Sequence, residues 1–259
     1  MSRQPPGAPP PPPVQRIRLR YTKRGRLRFT SHRDIARVFE RALRRAEIPM
    51  AYSAGFSPHP KVSWVGAAAT GVASEAEHVE IALAEVRDVE SIRIALNASL
   101  PDGIDLVEAV EAEPGTSLAD RVEASHWHVE LPDVPLSDLA RAVETFLAAD
   151  AVEVERMTKN GRRLFDTRGP VVSMTATAGN GCAILSLVVQ HVTPAVRPDD
   201  VLTGLRQVSD LATPVPPAAT RLSQGPLIGN GEVGDPLAPE NIGATRQDAE
   251  AATTDFLTH

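Results

Sequence analysis

Arginine recurs at positions 33, 37, 41 and 45, one helical turn apart, with Arg44 beside the row and a loop-like run carrying Phe56, His59 and Lys61 just downstream. Guanidinium groups on one face grip phosphates, an aromatic ring stacks on a base, and imidazole moves a proton near neutral pH. These residue types in this order point to RNA. The candidate RNA-binding set is therefore Arg33, Arg37, Arg41, Arg44, Arg45, Phe56, His59 and Lys61. His32 and His59 are also the candidate acid and base of a metal-independent endoribonuclease, in which Lys61 and Arg33 would stabilise the phosphorane.

The stretch that holds them, Gln15 to Lys61, has thirteen Arg or Lys against three acids, a net of +10, while the whole chain carries −6 and the other 212 residues therefore −16. Clustered cations gain affinity for polyanions by releasing phosphate counterions, so this asymmetry marks one face for such a partner. Within the stretch, Ser31 is placed to cap a helix with Asp34 in its first turn. Ile35, Val38, Phe39, Ala42, Leu43 and Ala46 follow the spacing of a buried stripe, and the arginines take the opposite one. Like charges four apart repel by about 0.2–0.5 kcal/mol per pair, a cost that a merely solvated face avoids. A basic surface helix in an Arg-rich chain is the plainer alternative. From Ala51 to Lys61 the sequence is loop chemistry: Gly55 permits positive φ, and Pro58 and Pro60 hold the chain extended. Phe56 in this loop either stacks on a ligand or plugs the core.

The elements that must position these groups follow from periodicity. Ile17, Leu19 and Tyr21 alternate with Arg16, Arg18 and Arg20, as in a strand with one basic face. A turn over 23–26 and a brief strand over 27–29 lead into the helix. Strands over 62–68 and 77–84, a helix over 89–100 and a strand over 104–110 complete the order of a ferredoxin-like unit. The pattern then restarts with a strand over 126–131, a helix over 136–148, strands over 152–157, 164–166, 171–177 and 182–192, and a helix over 199–211. The fold class expected is α+β, two tandem ferredoxin-like (βαββαβ) halves over 15–113 and 124–211. A disordered proline-rich arm over 1–14 and a mostly disordered acidic tail over 212–259 flank them.

The run KRGRLRFTSHRDIARVFERALRRAEIP followed by AYSAGFSPHPKVSW closely resembles the radical-SAM-linked protein family, a bacterial domain of unknown function. The family motif falls here on Ser31, His32 and Asp34, then Arg37, Arg41 and Ala42, then Tyr52, Ser53, Gly55, Phe56, Pro58, His59 and Pro60. Ser57 stands where Asn is usual and Ala54 where Gln is usual. The likeness continues weakly to about residue 222. Family members follow a radical-SAM region or stand alone, often encoded near an E/G-type ribonuclease and ribosomal proteins. The resemblance thus implies a stand-alone, RNA-associated member whose partner is a radical-SAM protein or such a ribonuclease.

Other chemistry finds little support in the sequence. One cysteine, Cys182, cannot supply the three thiolates of a radical-SAM cluster or any disulfide. His126, His128 and Glu130 share a strand face without a further ligand, so no metal and no cofactor are expected. Asp166, Arg168 and Arg197 read as ion-pair partners or phosphate contacts. No targeting signal or membrane-length apolar run is present, which places the protein in the cytoplasm without membrane contact. The function expected is an RNA-associated accessory protein that binds structured RNA, tRNA, rRNA or a precursor, and assists a partner enzyme. The alternatives are the endoribonuclease and a protein-only adaptor for a radical-SAM enzyme or ribonuclease.

Overall fold

Alternation builds the first strand: β1 (Gln15–Lys23) buries Ile17, Leu19 and Tyr21 on one face and turns Arg16, Arg18 and Arg20 to the other. The structure, a computed structural model, describes residues 10–158 and 161–239. Residues 27–29 do not return as a strand. Gly25 takes a positive φ of 55° and starts a 3-10 turn (Gly25–Phe29), closed by Leu27 N–H to the Arg24 carbonyl at 3.1 Å and Thr30 N–H to the Leu27 carbonyl at 2.9 Å. Then comes α1 (His32–Arg45), whose N-cap Ser31 accepts the Asp34 N–H at 3.3 Å and whose stripe of Ile35, Phe39, Ala42 and Leu43 is buried.

β2 (Val62–Val65), β3 (Ala73–Leu83), α2 (Val89–Asn97) and β4 (Leu106–Glu111) complete the first half. β3 lies between β1 and β2, and β4 flanks β1, all antiparallel. The helices cover one face of these strands, where Ile17, Leu19, Val79 and Ile81 meet Phe39, Leu43, Ile92 and Leu96. The opposite face is covered as well. Thr116 accepts Arg18 Nη2 at 2.6 Å, Asp235 lies 3.7 Å from Arg20 Nη1, and Arg121 reaches the Ala238 carbonyl at 2.6 Å. With both faces covered, β3 is buried almost throughout instead of alternating.

The second half repeats the order with one insertion: β5 (Ala124–Pro132), α3 (Leu136–Ala148), β6 (Glu153–Thr158), β7 (Gly161–Asp166), β8 (Val171–Ala178), β9 (Cys182–Gln190), α4 (Pro198–Ser209) and β10 (Ala218–Gly225). The strand order is β10-β5-β9-β8, and β6 and β7 form a separate ribbon that Arg156 ties to Asp200 at the start of α4 at 2.7 Å. Trp127, Val129, Leu131, Leu139, Phe146, Leu185, Leu187, Val201 and Leu205 make its core. At Gly204 a Cβ would stand 2.9 Å from Phe146 Cε2, so glycine is what lets α4 approach α3 this closely.

The chain beyond Leu211, expected to lack regular structure, is corrected here. β10 sits in the middle of the sheet, antiparallel to β5 and parallel to β3, and β11 (Leu227–Ile228) pairs with β12 (Glu232–Val233) after it. Residues 240–259 of that tail and 1–9 of the proline-rich arm lie outside the described residues. Because β10 runs parallel to β3, the two halves point the same way. Right-handed crossovers therefore lay all four helices on one face of the sheet.

A buried ionic cluster holds this seam on the helix side. The Arg221 guanidinium pairs with Glu77, donates to Gln224 Oε1 at 3.0 Å and lies over the Trp127 ring at 5.2 Å. Lys23 Nζ donates to the Ala68 and Ala69 carbonyls at 3.1 and 3.0 Å, while the Ala68 N–H donates to Glu77 at 3.0 Å. Burial works to raise the Glu77 pKa, but Arg221 and the donors from Ser74 and Ala68 outweigh it and hold the carboxyl below its ordinary value. The chain is thus an α+β protein with a central, mostly antiparallel sheet and four α-helices among the described residues.

Candidate nucleic-acid interface

The arginine stripe is where the helix period puts it. Arg33, Arg37, Arg41, Arg44 and Arg45 are all exposed on α1, opposite the buried stripe. Arg37 Nη1 pairs with Asp34 at 3.2 Å, and Arg45 Nη1 reaches the Ser99 carbonyl at 3.4 Å. Arg33, Arg41 and Arg44 make no side-chain hydrogen bond or salt bridge among the described residues. The hydroxyl of Ser31 donates to Asp34 at 2.7 Å, and with Arg37 and Arg33 nearby it holds that carboxyl below its ordinary value. Asp34 therefore stays anionic and offsets the N-terminal end of the row. At the other end Arg44 and Arg45 stand in the last turn, where their charge complements the negative end of the helix dipole.

The loop after α1 is built by its own hydrogen bonds. Tyr52 bridges Pro60, Ser53 N–H donates to the His59 carbonyl at 2.9 Å, and His59 N–H donates to Ser53 Oγ at 3.1 Å. Gly55 takes a positive φ of 137° at the tip. Phe56 is 66% exposed, which removes the reading of this ring as a core plug. Lys61 is half-buried, its backbone paired to Ala51 and Ala82 at 2.8 and 3.0 Å.

His32 and His59 are not brought together. His32 packs edge-on against Trp64, ring centroids 5.2 Å apart. No hydrogen bond, ion pair or ring contact among the described residues joins it to His59. Ser31 and His32 stand at the start of α1 and Phe56 and His59 in the loop after it, with no such contact between the two groups among the described residues. The helix start and the loop flank the same helix in sequence, but they stand at opposite ends of it.

Periodicity also missed two exposed rings, Phe29 at 60% and Tyr52 at 41%. In a strand Phe29 would share the face of Leu27; in the 3-10 turn, with three residues per turn, it shares that of Arg26. Gly25, immediately before the Arg-Leu-Arg-Phe run, is the signal that favours the turn. Arg28 then lies over the Phe29 ring, its guanidinium carbon 4.7 Å from the centroid.

The remaining polar candidates are engaged within the fold. Asp166 accepts the N–H groups of Val152, Arg168 and Gly169 at 2.9, 2.9 and 2.8 Å, and Arg168 donates to the Leu147 and Val171 carbonyls. The Arg197 N–H donates to Asp200 at 2.9 Å at the start of α4. His126 Nε2 shares a 2.8 Å hydrogen bond with Ser186 Oγ, and His128 stands 4.0 Å from Glu130. No group of His, Cys, Asp and Glu among the described residues is arranged to hold a metal ion, and no helix among them is long and apolar enough to cross a membrane.

Comparison with known proteins adds a family and little else. No curated protein matches the chain. An unknown protein from Galdieria sulphuraria is 17% identical, covering 80% of this chain and 98% of its own with a TM-score of 0.23. The encapsulated DyP-type peroxidase from Mycobacterium smegmatis is 12% identical, covering 84% and 94% with a TM-score of 0.20. Such scores carry no argument about fold or function. Residues 16–198, however, match the model of a family described as an uncharacterized protein conserved in bacteria, DUF2344, from β1 to the first residue of α4. With that much of its length matched, the chain belongs to this bacterial family.

Proposed function

We propose that the protein is an RNA-binding accessory factor that grips phosphates with the exposed face of α1 and assists a partner enzyme. The observation that carries this reading is the row Arg33, Arg37, Arg41, Arg44 and Arg45, exposed throughout and with four of its members free of any ion pair among the described residues. The sheet offers no rival platform. On the first half its helix-free face is covered, and no strand among the described residues carries an exposed Phe, Tyr or Trp on which a base would stack.

Two finer readings accompany the proposal. The strand orders β4-β1-β3-β2 and β10-β5-β9-β8 support two tandem ferredoxin-like units, the second closed by β10 and enlarged by the β6–β7 ribbon. The motif around Ser31 and Tyr52 supports a tie to radical-SAM proteins. Any iron-sulfur chemistry would belong to the partner, because Cys182 is the chain's one cysteine. The endoribonuclease alternative has no contact between His32 and His59 among the described residues to support it.

Fluorescence anisotropy with labelled RNA, titrated in salt, tests the reading. Two or three phosphate contacts give a slope of log affinity against log salt of about −1.4 to −2 on a single strand. R41E/R44E lowers affinity at least tenfold with an unchanged melting curve. Unchanged affinity in that folded variant would remove α1 as the interface and leave the protein-only adaptor.

A further inference from the structure

Resting on the RNA reading, we infer that the RNA engaged is single-stranded, laid along α1 with one base on Phe29 and another on Phe56. The two rings bracket the arginine row. Phe29 ends the 3-10 turn two residues before the N-cap Ser31, so it stands at the N-terminal end of α1. The Phe56 loop stands at the other end. α1 returns along the sheet from the last residues of β1 toward its first, and Gln15, the first, pairs with Leu83. Met50, just after α1, bridges that same Leu83, and Val62 at the start of β2 pairs with Ile81. The loop between them therefore projects past the sheet edge where α1 ends.

Spacing fits one strand better than two. Arg33, Arg37, Arg41 and Arg45 step along the helix by about 6 Å each, a row of about 18 Å. Such a row meets successive phosphates of one extended chain. The interval between the rings then corresponds to a footprint of about four nucleotides or slightly more. In a duplex the base faces are covered by their neighbours, and the A-form major groove is too narrow for side chains to read, so exposed rings would have nothing to stack on. Unpaired loops and ends of a structured RNA supply both the phosphates and the open bases.

Both rings are presented in advance. Phe29 has the Arg28 guanidinium against one face and is 60% exposed, which leaves the other face for a base. Phe56 is carried by a loop fixed by the Tyr52–Pro60 bridge and the two Ser53–His59 hydrogen bonds, so little ordering is lost on binding.

Labelled oligouridines of increasing length and a blunt RNA duplex, measured by anisotropy against the full chain, test this inference. Affinity should rise steeply until the strand spans both rings and slowly thereafter, and the longer oligomers should bind at least tenfold tighter than the duplex. Phe29→Ala and Phe56→Ala should each weaken the single strand by roughly 5- to 100-fold, leave duplex binding and the melting temperature unchanged, and be rescued by Trp. Equal binding of duplex and single strand, or no effect of either ring, overturns the inference while the RNA reading survives through R41E/R44E. Loss of binding that follows a lowered melting temperature and is not rescued by Trp also overturns it. Absence of binding to either RNA refutes the underlying reading itself.

Discussion

His78 is the most exposed weakness of the native state to acid, and His78→Leu measures it. The side chain is 1% exposed in β3, and neither ring nitrogen has a hydrogen-bond partner. Burial, followed by the nearby Arg221 and Arg20 charges, lowers its pKa from 6.5 to about 4, while Glu77 and Asp235 oppose the shift without cancelling it. A folded pKa below the unfolded one means that the unfolded chain binds the proton first. The stability involved is complete above pH 6.5 and is lost as pH falls toward 4. Between about pH 7.5 and about pH 5 the loss from this one group is about 2 kcal/mol. Urea denaturation followed by circular dichroism at the two pH values gives the wild-type drop, and the variant should lack that part of it. His126 and His191, both lowered chiefly by burial, are retained in the variant and so cancel in the comparison. Leucine also removes two unpaired nitrogens, so at the higher pH the variant should be at least as stable as the wild type. Parallel pH dependences of the two proteins would refute the argument.

Three further outcomes follow from the seam and the helix cap. Arg221→Met leaves the Glu77 charge buried and should cost about 3–5 kcal/mol, whereas E77L/R221M should recover most of it; equal losses for the single and double variants in urea would refute the pairing. Ending the chain after Leu211 removes β10 from between β3 and β5 and should abolish cooperative unfolding, and a sharp calorimetric transition in that fragment would contradict the sheet order. Ser31→Ala deletes the cap on α1 and should cost about 1 kcal/mol, read as a shift in the urea midpoint at constant slope.

What the sequence made legible was the part with local causes. Ile17, Leu19 and Tyr21 announce β1 by alternation, and Leu139, Val143 and Phe146 announce α3, because each pattern is complete within its own element. β10 could not be read that way. Its Ala, Thr, Arg, Ser, Gln and Gly residues have no strand-like apolar period, and its buried Arg221 is satisfied by Glu77, 144 positions earlier. The same limit applied to the site. The arginine face of α1 was legible from spacing, but the place of Phe56 depends on Met50 meeting Leu83 across the sheet, and Phe29 on a turn whose period is three.

Charge shows most clearly what folding adds to a sequence count. The stretch from Gln15 to Lys61 carries +10, yet much of that charge never reaches one face. Arg18 and Arg16 pair with Glu80, Arg20 with Glu108 and Asp235, and Arg24 with Glu75 and Asp105. All five acids lie outside the stretch, and those facing Arg16, Arg18 and Arg20 meet them on the side of the sheet opposite α1. Asp235 is thereby removed from any competition for the helix face that its place in an acidic tail would suggest. Lys23 is buried under the Ala68 and Ala69 carbonyls. Among the described residues, the cations of the stretch left in no ion pair, apart from the buried Lys23, are Arg33, Arg41, Arg44 and Arg45 of α1, with Arg26 and Arg28 before it and Lys61 after it. A polyanion approaching this protein therefore meets one narrow row of guanidinium groups, and a salt dependence of two or three phosphates, not ten, is what such a row can produce.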